Sequence, residues 1–339
     1  MLILAVESSC DENSVAVLRD GKLLSVSTRT QTIHQQYGGV VPELAGRSHL
    51  ELVDPLAQEA LSIAGIESRA IDLVAATVGP GLIGALLVGA NYARGLALSL
   101  GKPFRGINHV EAHLWSGELD DEPMPLPFLV LLVSGGHTLL VRVNGIRQYE
   151  VLGSTLDDAL GEAYDKVGKL VGLKFPAGAD VDRLAAQGNS AAYPFPLSMP
   201  DGSFNFSFSG LKTAFLYKLR ELPPDDVPRI TPDLLASFQE AALNSVVSKI
   251  RHAITATHPR ALVAAGGVAA NSSLRAKLQQ VGDSFGIPCR FPALRYCGDN
   301  AAMIAYLAWK LEHAGLADLE YTVRPRWGLE TLVPQSAVA

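Results

Sequence analysis

Apolar and polar positions alternate at two different periods along the chain. Residues 2–6 form an apolar run, followed by a polar loop at 7–13 and a second apolar segment at 14–18. An Asp20-Gly21 turn then leads into a further run from Lys22. The same order returns later: an apolar run at 128–133, the short loop Ser134-Gly135-Gly136, a run at 137–143, an Asn144-Gly145 turn and a run from Ile146. Asp-Gly and Asn-Gly between apolar runs are strong hairpin signals. Each segment therefore reads as a strand, a polar loop and two antiparallel strands. On pattern alone this is either an internal repeat or two unrelated hairpins.

Between these segments the apolar spacing changes to that of helices. Helices are expected at 43–64, from Pro80-Gly81 to Leu100, and at 157–172, 180–187, 231–257, 272–282 and 300–314. An apolar strand at 261–265 runs into Gly266-Gly267 and then a helix, an order that points backbone N–H groups at an anion. The stretch 222–226, rich in proline and aspartate, reads as a surface loop. The most apolar segment, 82–100, is interrupted by Asn91 and Arg94 and reads as a buried core helix rather than a membrane span.

Composition narrows the class. With 48% hydrophobic and 18% charged residues among 339, the chain can build a large core and is long enough for two lobes. Three cysteines, Cys10, Cys289 and Cys297, form no CxxC pair and suit a reducing, cytoplasmic setting better than a disulfide framework. The first residues reach a carboxylate at Glu7 without a basic leader and read as a strand, not a signal peptide. A net charge of −6 argues against strong unaided binding of nucleic acid.

The sharpest chemical pattern is His109-Val110-Glu111-Ala112-His113. On a helix, His109 and His113 lie at i and i+4 on one face, where two imidazoles can share one metal ion or stand as an ordinary histidine pair. Glu111 points about 200° away, unlike the glutamate of HExxH, so a zinc peptidase is disfavoured. A metal needs a third ligand. Asp299, just before a helix, fits that role or that of an N-cap. Ser134-Gly135-Gly136 reads as a phosphate or carboxylate loop or as a plain hairpin end. Asp165 suits a hydrogen bond to a ribose or an amine, or an exposed helix surface. The turn 176–182 leads into a helix, and its carboxylates either face a ligand or only cap that helix. Residues 204–213, FNFSFSGLKT, present a ligand-facing Ser and Lys or a packed β-edge. Arg324-Pro325-Arg326-Trp327 reads as a solvated basic tail rather than an RNA contact. There is no GxxxxGK[ST] loop and no nucleophile elbow.

Nine stretches in order resemble the universal tRNA threonylcarbamoyladenosine transferase family, once misnamed O-sialoglycoprotein endopeptidase. They are ESSCDE at 7–12, QTIHQQYGGVVPELAGRSH at 31–49, VGPGLIGALLVG at 78–89, NHVEAH at 108–113 and LVSGGHT at 132–138. GEAYDKVGKLVGL follows at 161–173, then FSFSGLKTA at 206–214, GGVAANSSLR at 266–275 and CGDNAAMIA at 297–305. The resemblance covers nearly the whole chain. It implies an α/β protein of the actin-like ATPase superfold (the ASKHA fold), pseudo-duplicated, with two lobes that each carry an RNase-H-like βββαβα core. An N-terminal lobe at 1–108, completed by about 310–339, and a C-terminal lobe at 109–309 are expected, with the metal and adenylate sites at the cleft.

The resemblance further implies that His109, His113 and Asp299 bind one divalent ion, Fe2+ or Zn2+. Leu132, Val133, Ser134, Gly135, Gly136, Asp165, Gly178, Asp182 and Asn271 would contact an adenylate, threonylcarbamoyl-AMP, which is made elsewhere from threonine, bicarbonate and ATP. The implied reaction moves the threonylcarbamoyl group to the exocyclic amine of adenosine 37, beside the anticodon, in tRNAs reading codons that begin with A. Implied partners are tRNA, a smaller inactive paralogue and an ATPase subunit, and no membrane; the −6 charge and the Gly/Ala-rich helix Gly81–Leu100 suit a partner interface, though that helix equally suits an inter-lobe core. Rival readings are an ATPase or kinase of the same superfold, which has no need of the triad, and a non-catalytic scaffold, which has no reason to keep it. The family loop PGGPxI is here Pro176-Ala177-Gly178-Ala179-Asp180-Val181, followed by Asp182. Ala177 fits only with negative φ. Gly46 stands where the family usually has serine.

Overall fold

A computed structural model of the chain describes residues 1–119, 121–199, 201–316 and 322–332. The chain divides into two compact units. The first comprises Met1–Pro123, Ile146–Tyr149 and Asp299–Ala339, and the second Met124–Gly145 and Glu150–Gly298. The first unit thus runs past the expected boundary at 108 and takes in both His109 and His113. Part of the expected closing segment, 317–321 and 333–339, lies outside the described residues.

The first unit is built on a five-stranded sheet of β1 (Leu2–Glu7), β2 (Glu12–Arg19), β3 (Lys22–Thr30), β4 (Leu73–Gly79) and β5 (Phe104–Asn108). The strand order is β3-β2-β1-β4-β5. β1 pairs antiparallel with β2 and parallel with β4. A central strand covered on both faces must be apolar throughout, and Ile3 to Val6 are fully buried. Asp20 and Gly21 both adopt positive φ in the β2–β3 turn, as a two-residue hairpin requires. The helices are α1 (Pro42–Ala64), α2 (Ile83–Leu100) and α3 (His109–Trp115). Small residues at four-residue spacing, Ala85, Gly89, Ala93 and Ala97, form the buried face of α2. A Cβ at Gly89 would overlap Ser8, so glycine there lets the helix approach the loop after β1.

The second unit repeats this plan. Its sheet contains β6 (Phe128–Val133), β7 (Thr138–Gly145), β8 (Gln148–Ser154), β9 (Ala261–Ala265) and β10 (Cys289–Arg290), in the order β10-β9-β6-β7-β8. β6 is antiparallel to β7 and parallel to β9. Its helices are α4 (Leu160–Leu170), α5 (Gly178–Ala185), α6 (Ser209–Glu221), α7 (Val227–Thr257) and α8 (Ser272–Phe285). Leu160, Ala163, Tyr164 and Val167, at i, i+3, i+4 and i+7, give α4 its buried stripe. The matching strand order makes the internal pattern a true repeat of one topology. α9 (Ala301–His313) returns the chain to the first unit.

Four expectations change. The β7–β8 turn falls on Ile146-Arg147, not Asn144-Gly145, because alternating burial continues through Gly145. Residues 204–213 are not a β-edge: after a single bridge from Phe206 to Thr155, α6 begins at Ser209. α2 has the length and composition of a membrane span, but only one face is buried, and Ile83, Leu87 and Leu98 are exposed. The 324–327 segment is not a solvated tail. Arg324 N–H donates to the Val78 carbonyl at 2.7 Å, Gly81 N–H to the Pro325 carbonyl at 3.1 Å, and Trp327 is buried.

Candidate metal centre and adenylate loops

In the first unit, α3 starts directly at the end of β5. Asn108 caps it, its side chain accepting from the Glu111 N–H at 3.0 Å. This start places His109 and His113 one turn apart, with ring centroids 4.7 Å apart and planes at 87°. Asp299 reaches both: its Oδ1 lies 3.0 Å from His113 Nε2 and 3.4 Å from His109 Nε2. The three ligand atoms fall within 4.8 Å of one another. Asp299 is not the N-cap of α9. Asn300 takes that role, accepting from the Met303 N–H at 3.2 Å, which leaves Asp299 to its histidine partners.

Behind His109 stands Glu7, fully buried at the end of β1. One oxygen accepts from the Ser9 N–H at 2.6 Å; the other accepts from the Thr77 hydroxyl and lies 3.1 Å from His109 Nδ1. With Nδ1–H donating to Glu7, Nε2 is left as the ligand atom, the arrangement by which a carboxylate orients a metal-binding imidazole. Burial would raise the Glu7 carboxyl, but the charge and hydrogen bond of His109 hold it below its ordinary value. Burial likewise opposes charge on Asp299, and the two imidazoles hold it well below the usual carboxylate range. Burial would lower His109, yet Asp299 and Glu7 keep it well above 6.5. Burial prevails at His113, which is lowered. The centre thus carries more carboxylate charge than two imidazoles balance, and its converging N, N and O donors fit a divalent ion. Glu7 was not singled out from sequence as a site residue. Its signal was a carboxylate closing an otherwise apolar strand.

The second unit gathers the other expected residues at the C-terminal ends of β6 and β9, where open α/β sheets bind ligands. The side chains of Leu132 and Val133 are buried in the core, so only their backbone is available. Ser134 Oγ accepts from the N–H groups of Gly136 and His137 at 3.3 and 3.0 Å, shaping a tight loop with Gly135 and Gly136 exposed. Gly161 in α4 donates to the Ser134 carbonyl, and a Cβ there would come within 2.6 Å of that oxygen. Gly266, at φ +90°, lies against the Val133 carbonyl where no Cβ fits.

Asp165 Oδ1 accepts from the Ala177 N–H at 2.7 Å and so fixes the turn into α5. Ala177 has φ −95°, the sign that alanine needs. Gly178 opens α5 with nothing within 4 Å of a Cβ position. Asp182 accepts from the N–H and hydroxyl of Ser272 at 2.9 and 3.1 Å. Asn271 caps α8 through Leu274 N–H and donates to Gln239. Asp182 and Asn271 thus tie the helix ends together, a structural task the sequence did not reveal.

The profile of the tRNA N6-adenosine threonylcarbamoyltransferase family matches residues 22–306. The chain is 46% identical to the tRNA N6-adenosine threonylcarbamoyltransferase of Thermosipho africanus, over 94% of this chain and 96% of that one. It is 48% identical to the enzyme of the same name from Bordetella petrii, over 97% of each. Among solved structures it resembles HypF of T. kodakarensis, with TM-score 0.65 and 14% identity over 94% of this chain and 48% of that one. It also resembles the ROK hexokinase of Thermus thermophilus, with TM-score 0.50 and 18% identity over 92% and 100%. These two likenesses concern the fold alone, the actin-like ATPase superfold. The family match and the breadth of sequence identity together establish that this chain belongs to the tRNA N6-adenosine threonylcarbamoyltransferase family.

Proposed function

We infer that this protein transfers a threonylcarbamoyl group from threonylcarbamoyl-AMP to N6 of adenosine 37 in tRNAs reading codons that begin with A. The observation that carries the reading is the convergence of His109, His113 and Asp299 in a chain of this family. The amine nitrogen attacks the carbamoyl carbon, the bond to the phosphate oxygen breaks, and AMP leaves with the electron pair while the amine loses a proton.

A divalent ion, Fe2+ or Zn2+, held by His109, His113 and Asp299 would supply Lewis acidity toward the carbamoyl oxygen. With three protein donors, such an ion would keep Lewis acidity available to the substrate. Glu7 keeps His109 turned so that Nε2 serves as donor. The exposed amide of Gly135 and the first turn of α5 would supply donors for the adenylate phosphate and ribose. Positioning and electrostatics would account for most of the rate.

The acidic balance of the chain and the exposed apolar residues Leu50, Ile83, Leu87 and Leu98 on α1 and α2 support work in a complex with the smaller paralogue and an ATPase subunit. A tRNA substrate and three free thiols support a cytoplasmic setting. The test is nucleoside mass spectrometry of unmodified tRNA incubated with the protein, its partners and threonylcarbamoyl-AMP. A threonylcarbamoyladenosine peak that disappears in His113→Ala is expected. An undiminished peak in that variant would refute the metal assignment.

A further inference from the structure

The stretch 31–49 has no place in the site so far, yet three of its polar side chains, Gln31, His34 and His49, are buried in the first unit. Burying three such groups is costly unless each finds a partner. Their partners converge on one place. His49, on α1, lies with Nε2 at 2.9 Å from the Cys10 carbonyl, and its own carbonyl accepts from Asn13 Nδ2 at 3.4 Å. The Gln31 N–H donates to the Asp11 carbonyl at 3.0 Å.

Gln31 is itself held. His34 Nδ1 accepts from the Val41 N–H at 3.2 Å, so Nε2 carries the proton and donates to Gln31 Oε1 at 2.9 Å. That orientation turns the Gln31 amide toward the Ala45 carbonyl, 3.4 Å away. His49 must likewise carry its proton on Nε2 to meet a carbonyl. Burial lowers its pKa, consistent with a neutral donor.

The segment these residues grip leads away from Glu7 and Ser9, both in contact with His109. Cys10 follows directly on Ser9, whose Oγ lies 3.2 Å from His109 Nδ1. We propose that Gln31, His34 and His49 are positioning residues for the transfer, a buried brace that holds residues 10–12 and, through them, the Ser9 end of the Glu7–Ser9 segment that contacts His109. The brace rests on the function proposed above. It acts downstream of metal binding, because Glu7 is fixed independently by the pairing of β1.

The test compares His49→Leu, which removes the donor to Cys10, with His49→Gln, whose amide can restore it. Both are loaded with Zn2+, and separately with Co2+, whose visible spectrum reports the ligand geometry. His49→Leu should bind one ion with Kd within about threefold of the parent and an unchanged Co2+ spectrum. Its kcat for transfer should fall at least tenfold with KM for tRNA unaltered, and His49→Gln should recover most of that loss. Parent-like kcat in His49→Leu overturns the brace. So does an equal loss in both variants that tracks loss of metal, which marks a merely structural role. Gln31→Met, read by the same measurements, replaces His49→Leu if the latter does not fold. A parent protein without transfer activity removes the proposed function and the brace with it, whereas an active parent separates the two.

Discussion

Glu7→Gln alters the centre by a single atom, and its effect can be worked from the hydrogen bonds. Three donors converge on the Glu7 carboxylate: the Ser9 N–H on one oxygen, and the Thr77 hydroxyl with His109 Nδ1–H on the other. A glutamine has one acceptor oxygen. If it serves His109 and Thr77, its NH2 faces the Ser9 N–H and one buried donor loses its partner, at about 1–3 kcal/mol of fold stability. If it serves Ser9, the NH2 faces His109, favours the wrong tautomer and turns Nε2 from ligand to donor. Loss of such a supporting partner typically weakens a metal site 10–100-fold, or about 1.4–2.7 kcal/mol. Titration of the purified variant with Zn2+ against a chromophoric chelator measures this directly. A parent-like Kd would show that Glu7 does not orient His109 and would refute the reasoning. Glu7→Asp keeps the charge but withdraws it by one methylene, and should fall between parent and glutamine.

Metal-free protein should lose stability as pH rises from about 6.5 through the raised pKa of His109, because a histidine held above its ordinary value stabilises the fold only while protonated. Metal-loaded protein should show the opposite slope there, since the ion displaces that proton; thermal melts with and without chelator decide this. Gly161→Ala should lower the melting temperature, because its Cβ would meet the Ser134 and Gly135 backbone within 3 Å, a clash that outweighs the roughly 1 kcal/mol by which alanine favours a helix. The new Cβ should displace the Ser134 carbonyl and weaken AMP binding at least tenfold by calorimetry. Lys310 neutralises the buried Glu118 at 2.6 Å and lies over the Trp115 ring at 4.2 Å. Lys310→Met should cost about 3 kcal/mol in denaturant melts, and adding Glu118→Gln should return part of it.

The two hairpin segments were legible because their turns carry strong local signals, and the histidine pair because helical spacing alone brings the rings together. β4 and β5 were not recognised. Parallel strands flanked by helices show neither alternation nor turn dipeptides, and Leu73–Gly79 is buried at every position. The run Phe204, Phe206, Phe208 alternates like a strand, but Asp157, distant in sequence, accepts from the N–H groups of Phe208 and Ser209 and starts α6 there. Glu7 and His49 share that fate. Their partners, His109 and Cys10, are supplied by tertiary packing, which no local spacing reveals.

The repeat of one strand order has a consequence for charge. The loops after β1 and after β6 are topological counterparts, yet they differ in what they offer a ligand. The first follows Glu7, whose carboxylate faces His109 of the candidate metal centre, and the second presents glycine amides. The two counterpart loops are thus polarised in opposite senses, one toward cations and the other toward anions. The chemistry proposed here, an ion acting on the acyl group of an adenylate, needs both polarities, and so it belongs to the doubled chain rather than to either half.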